Sequence, residues 1–114
     1  MKREEQALQV ACVRWFKLQY ADQDGRLYMN YNNPPNARTG GILKAMGLCA
    51  GIADLSYLLP DGKIAYIELK SKIGKQSPSQ KDFEARVTAL GAAYHIAKDI
   101  YDFMGIINAY NTQA

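Results

Sequence analysis

Asp54 and the triplet Glu68-Leu69-Lys70 are the residues of this chain best equipped for chemistry. In a strand, Glu68 and Lys70 lie two apart and share a face. Pro60-Asp61-Gly62, between two apolar runs, is a turn sequence, because Pro fixes φ and Gly tolerates positive φ. A hairpin centred on Asp61 pairs Asp54 with Glu68, each seven residues from the centre. Their Cβ atoms would then stand ~5 Å apart on one face. A slip of one residue would send Asp54 to the opposite face. Two facing carboxylates repel unless something lies between them. A divalent cation, Mg²⁺ or Mn²⁺, relieves the repulsion, since carboxylate and carbonyl oxygens with spare water positions suit those ions. Lys70 would be a positive charge beside the cation, orienting a water or stabilising an oxyanion. Hydrolysis of a phosphodiester by an activated water fits this set best. The alternative is a surface cluster of ion pairs on a sheet edge, which contributes little. Ile67 and Leu69 flank Glu68, so its strand reads as central, and charges on a buried strand need a partner or a purpose.

The elements that must hold these residues follow from patterning. Residues 3–20 read as a helix, with Leu8, Ala11, Cys12, Trp15 and Leu18 at helical spacing. Val13, Phe16 and Tyr20 give it a second apolar side, so it is either deeply buried or shared with another subunit. Leu27 to Tyr31 reads as a short strand, residues 30–41 as a long functional loop, and 41–47 as a short helix. Residues 53–59 and 63–71 form the hairpin. Ser77-Pro78-Ser79-Gln80 opens a helix: Ser77 is the N-cap, Pro78 takes the first helical position and Gln80 completes a capping box. That helix carries Phe83, Val87 and Leu90 on one side and ends at Gly91. Residues 92–97 read as a strand, and Asp99 caps a last helix bearing Ile100, Phe103, Met104 and Ile107. The fold class is α/β, a mixed sheet flanked by helices, in a single domain over 1–114.

Basic residues gather near the triplet. Lys70, Lys72, Lys75, Lys81 and Arg86 fall within 17 residues, leading into a helix N-terminus that suits phosphate. Asp82 and Glu84 lie among them, so a solvated mixed-charge face is the alternative, but the carboxylates next door favour phosphate contact. Arg38 and Lys44 are further candidates for phosphate contact, and Tyr28 and Tyr31 could touch DNA. His95 sits in an apolar strand and reads as structural. With a lone histidine and two cysteines, Cys12 and Cys49, at no metal-like spacing, a His/Cys zinc site is excluded. The thiols read as reduced and buried, with a single disulfide as the alternative.

Composition sets the outer bounds. The chain has 114 residues, 48% hydrophobic and 22% charged, which is ordinary for a globular domain and excludes a disordered tail. A net charge of +3 permits an anionic partner without demanding one. No apolar run approaches the ~20 residues of a membrane span. Met1 to Gln6 lacks the apolar stretch of a signal peptide.

The ordered set Glu5, Gln9, Trp15-Phe16, Gly51-Ile52-Ala53-Asp54-Leu55, Ile67-Glu68-Leu69-Lys70 and Gly74-Lys75-Gln76-Ser77-Pro78-Ser79-Gln80-Lys81 resembles the virus-type replication–repair nuclease (VRR-NUC) domain, a branch of the PD-(D/E)XK nuclease superfamily. The resemblance covers most of the chain and implies a PD-(D/E)XK-like mixed sheet flanked by helices. It also implies that Asp54, Glu68 and the carbonyl of Leu69 bind Mg²⁺ or Mn²⁺ and that Lys70 is the catalytic lysine. By the same resemblance Glu5 completes the site through metal or water, with Glu4 as the competing match, and Gln80 orients lysine, water or phosphate. Many family members carry Pro before the aspartate, where this chain has Ala53.

Short free-standing members, mostly from phages and bacteria, resemble homodimeric structure-selective endonucleases that cut four-way (Holliday) junctions. A two-fold dimer presents two sites to a two-fold junction. The implied protein is a cytoplasmic, metal-dependent endodeoxyribonuclease acting on branched DNA as a homodimer in a bacterial or phage-infected cell. Two alternatives stay open: a nuclease for flap, nicked or linear DNA, and a DNA-binding module without turnover.

Overall fold

The computed structural model describes residues 3–32 and 34–112. The chain forms α1 (Arg3–Gln19), a 3₁₀ turn (Ala21–Gln23), β1 (Leu27–Met29), α2 (Ala37–Ala45), β2 (Leu55–Leu58), β3 (Ile64–Leu69), α3 (Pro78–Ala89), β4 (Ala93–Ala97) and α4 (Ile100–Asn111). The strands make one sheet in the order β1-β2-β3-β4. β1 and β2 pair antiparallel, as do β2 and β3, while β4 lies parallel to β3. The sheet is therefore mixed, with β3 in its interior.

Alternation along β3 separates the two sides of the sheet. Ala65, Ile67 and Leu69 are buried in a core with Leu55, Tyr57, Cys12 and Phe16 of α1, and Phe103 and Ile107 of α4. Tyr66 points the other way and meets Phe83 of α3 edge-on, ring centroids 4.9 Å apart. Two helices cover one face and α3 covers the other. Glu68, on the same alternation as Tyr66, is thus enclosed beneath α3.

The hairpin has the register that a turn at Asp61 dictates. Leu58 stands opposite Ile64 and Leu55 opposite Ile67. Gly62 closes the turn at φ +86°, its N–H bonded to the Leu59 carbonyl at 2.9 Å. The helix after the Ser77 signal is built as its chemistry demands, with both halves of the capping box formed.

Three local expectations need correction. The loop expected over 30–41 ends early, because the Asn36 side chain accepts the Thr39 N–H at 2.8 Å and starts α2 at Ala37. The Gly40-Gly41 pair that suggested loop is inside that helix, where a Cβ on Gly40 would stand 3.3 Å from Pro34. Leu18 and Leu90, assigned to buried faces, are 79% and 88% exposed. Each stands at the end of its helix, where neighbouring elements no longer cover it. Of the two readings of α1, burial within the chain holds for Leu8, Cys12, Val13, Trp15, Phe16 and Tyr20, which all pack into this chain's own core. Both cysteines are free, but Cys49 is half-buried rather than enclosed. Burial pushes the Cys12 thiol up to about 12, as befits an inert core residue.

Candidate active site

The hairpin delivers Asp54 one step past the β2–β3 ladder, in the register that leads to Glu68. Asp54 is 4% exposed and Glu68 1% exposed. The Asp54 carboxylate is held at both oxygens. Oδ2 accepts the Leu69 N–H at 2.7 Å, and Oδ1 accepts the Asn32 side-chain amide at 3.3 Å. Asn30 fixes the backbone beneath it: its N–H bonds the Asp54 carbonyl at 2.9 Å, and its side-chain amide reaches the Ala53 carbonyl at 3.0 Å and Ser56 Oγ at 2.8 Å. The segment at Ala53, where a proline would have stiffened the chain, is thus pinned by hydrogen bonds.

Glu68 is held less completely. Oε2 receives the Gln80 side-chain amide at 3.4 Å. Oε1 is buried and has no hydrogen-bond partner among the described residues. Burial, a hydrogen bond shared with Asp54 and the negative charges of Asp54 and Glu5 push the Glu68 carboxyl up to about 9, against the opposing charge of Lys70. An ionised carboxylate in this position lacks a compensating positive charge within its own contacts.

Gln80 serves two masters. Its side-chain oxygen accepts the Ser77 N–H at 2.8 Å, closing the capping box, while its amide reaches Glu68. The helix start and the acid pair are therefore mechanically joined. Gly51 makes the junction possible. At φ +76°, a Cβ there would fall 2.2 Å from the Ser79 carbonyl oxygen and 2.7 Å from the Gln80 nitrogen. Only glycine allows the backbone before Asp54 to lie this close to the first turn of α3.

A cavity of about 230 Å³ opens over the acid pair, lined by Glu5, Asn32, Gly51, Ile52, Asp54, Glu68, Ser77, Ser79 and Gln80. Glu5 is buried, and its carboxylate accepts the Ser71 N–H at 3.3 Å; Glu4 is exposed. Between these two matches, Glu5 is the one beside the acids. Lys70 is buried and follows Glu68 along one face of the strand, though it does not line the cavity. Arg38 and Lys44 on α2, Lys72 and Lys75 in the β3–α3 connection, and Lys81 on α3 are all exposed and do not line this cavity.

The donor set fits a hard divalent cation. Three carboxylates, Glu5, Asp54 and Glu68, line one cavity, and one buried oxygen is without a donor among the described residues. Among the described residues, no three His, Cys, Asp or Glu side chains converge as a ready-made cage. A cation here would lean on Asp54 and Glu68 and fill its shell with water or substrate oxygens, the habit of Mg²⁺.

Patterning did not reveal Asn30, Asn32 and Gly51 as residues of the site. The Asn-rich stretch was a signal for the first two. The third left a trace as a glycine three residues before an acid. His95 is structural: its Nε2 pairs with the Tyr110 hydroxyl at 2.6 Å, across the sheet from the acids.

No family model matches the sequence, and no curated protein matches it. Solved structures do. One described as a "VRR_NUC domain protein" superposes with a TM-score of 0.77 at 21% identity, over 96% of this chain and 89% of that one. Another, described as "VRR_NUC domain", gives 0.57 at 19% identity, over 88% of this chain and 94% of that one. A likeness at that identity is one of architecture, and it establishes that this chain has the VRR-NUC fold.

Proposed function

We propose that the chain is a VRR-NUC nuclease that hydrolyses DNA phosphodiesters with Mg²⁺ or Mn²⁺, acting on branched DNA as a homodimer. The observation that carries this reading is the buried pair Asp54 and Glu68, one of whose oxygens has no donor, on the fold of VRR-NUC domain proteins. Bound there, a divalent cation lowers the pKa of water and neutralises charge on the phosphate. Asp54 and Glu68 hold the cation, with the Leu69 carbonyl as a further ligand. Leu69 N–H and Asn32 fix the Asp54 carboxylate so that it need not reorganise on binding. Lys70 places positive charge next to the developing negative charge of the reacting phosphate. Glu5 orients water from the cavity wall, and Gln80 keeps Glu68 turned toward Asp54. The exposed Lys72, Lys75, Lys81, Arg38 and Lys44 supply the longer-range attraction for the DNA backbone.

The test is cleavage of labelled four-way, flap, nicked and linear DNA by the wild type, Glu68→Ala and Lys70→Ala, with Mg²⁺ and then with EDTA. The expected result is Mg²⁺-dependent cutting of branched DNA that both variants lose by a factor of ~10³ or more while still folding and binding junctions. Wild-type cutting by either variant removes the chemistry from these residues. Binding without any cut by the wild type marks a module rather than an enzyme.

A further inference from the structure

A second, larger cavity of about 400 Å³ runs beside the acid pair, lined by Gln6, Gln9, Val10, Met29, Asn30, Tyr31, Asn32 and Asp54. It lies between α1 and the connection that follows β1. Asp54 and Asn32 line both cavities, so the two spaces adjoin. Their chemistry differs. The smaller is walled by acids, hydroxyls and the first turn of a helix. The larger has no lysine or arginine in its lining, so it is no phosphate seat.

Its walls match a nucleobase instead. The Tyr31 ring is 49% exposed and offers a flat apolar face beside the exposed Met29, with the exposed Val10 facing them from α1. Gln6 and Gln9 stand one turn apart on the opposite wall and carry donors and acceptors side by side, the pattern needed to meet a base edge. Asn30 and Asn32 are committed to the backbone of 52–54 and to Asp54, and hold that side of the groove rigid. The volume is within the range of small-molecule sites, roughly 300–1,000 Å³. A base within a duplex has its faces stacked and its pairing edge used. A base out of the stack offers both to aromatic and amide groups.

We infer that this groove seats one unpaired nucleobase of the strand being cut, adjacent to the scissile phosphate at Asp54 and Glu68. The inference rests on the nuclease reading and adds a substrate feature to it: strands carrying an unpaired nucleotide beside the cut are favoured over fully paired ones.

The test uses the full chain and a branched DNA in which one abasic residue is moved, position by position, across the mapped cut. Binding is measured in Ca²⁺ and single-turnover cleavage in Mg²⁺, for the wild type, Tyr31→Ala, Tyr31→Phe and Gln9→Ala. At one flanking position the abasic residue is expected to weaken wild-type binding about tenfold, the scale of losing one stacked base. Tyr31→Ala and Gln9→Ala should show a comparable loss on intact DNA and no further loss at that abasic position, while Tyr31→Phe retains wild-type affinity. The inference is overturned if no flanking position responds, if the abasic and Tyr31→Ala losses multiply, or if a fully paired duplex of the same sequence binds equally well. DNA bound with this base sensitivity but never cut would sink the nuclease reading and keep the groove. DNA neither bound nor cut would sink both.

Discussion

Glu68 is costly to bury as an ion, and the surroundings show how the cost is divided. Lys70 and the Gln80 amide offset part of it; the buried Oε1 is left without a donor. Asp54, by contrast, has a donor at each oxygen. In the proposed site, that asymmetry would make Asp54 a fixed anchor and Glu68 the group that would gain most from a cation. His95 illustrates the opposite case, a titratable group absorbed into structure. Burial lowers its pKa below the ordinary 6.5, so the folded chain resists a proton that the unfolded chain takes up. The unfolded state then binds more protons as pH falls through 6.5, and stability declines in that direction until the folded pKa is passed. Urea melts at pH 7.5 and 5.5 should show the wild type gaining less stability, or losing more, on acidification than His95→Gln, since the raised Glu68 carboxyl pulls the other way in both proteins. His95→Gln, which cannot titrate, should lack that component. Asp54, Glu68 and Lys70 were legible in the sequence because spacing and alternation place side chains before any packing is known. The roles of Asn30 and Asn32 were not, because a side-chain bond to a backbone carbonyl 20 or more residues away leaves no periodic trace.

At the scale of elements, the site is a junction of three pieces: a hairpin, a helix start and a loop. The hairpin was legible because Pro60-Asp61-Gly62 fixes the turn and the turn fixes the register. The start of α3 was legible because a capping box is a local signal. The start of α2 was misread because Gly40 and Gly41 look like loop; Gly40 is a glycine that fits closely against Pro34, a tertiary contact that local reading does not see, and the helix starts at the Asn36 cap. The clamp between Gly51 and α3 is a tertiary contact, invisible to local reading. Gly51→Ala should expose its importance. The new Cβ collides with backbone, not with a yielding side chain, and the positive φ adds strain. Equilibrium unfolding should show a loss of about 2 kcal/mol or more. Cleavage should fall further than stability explains, because Gln80 is pushed away from Glu68. An unchanged wild-type profile would mean that α3 is not clamped in this way.

For the whole molecule, the mixed four-stranded sheet with helices on both faces is the scaffold that patterning predicted and the solved VRR-NUC structures share. No helix among the described residues is long and apolar enough to cross a membrane. Most apolar residues of α1 are used within the chain, with Val10 and Leu18 left exposed on it. Junction cutting nevertheless calls for two sites related by a two-fold axis. Light scattering at micromolar concentration should give twice the mass of 12.7 kDa, and the monomer mass would turn the proposal toward flap or linear DNA.

The claim on which the account depends is that Asp54 and Glu68 together hold a divalent ion. Mn²⁺ titration of the wild type and Glu68→Gln, followed by electron paramagnetic resonance, addresses it without DNA. The substitution keeps the shape of the side chain and removes its charge, so the fold should persist. The account predicts Mn²⁺ binding by the wild type that weakens at least ~10-fold in Glu68→Gln. Equal binding by both proteins, or none by the wild type, would contradict it.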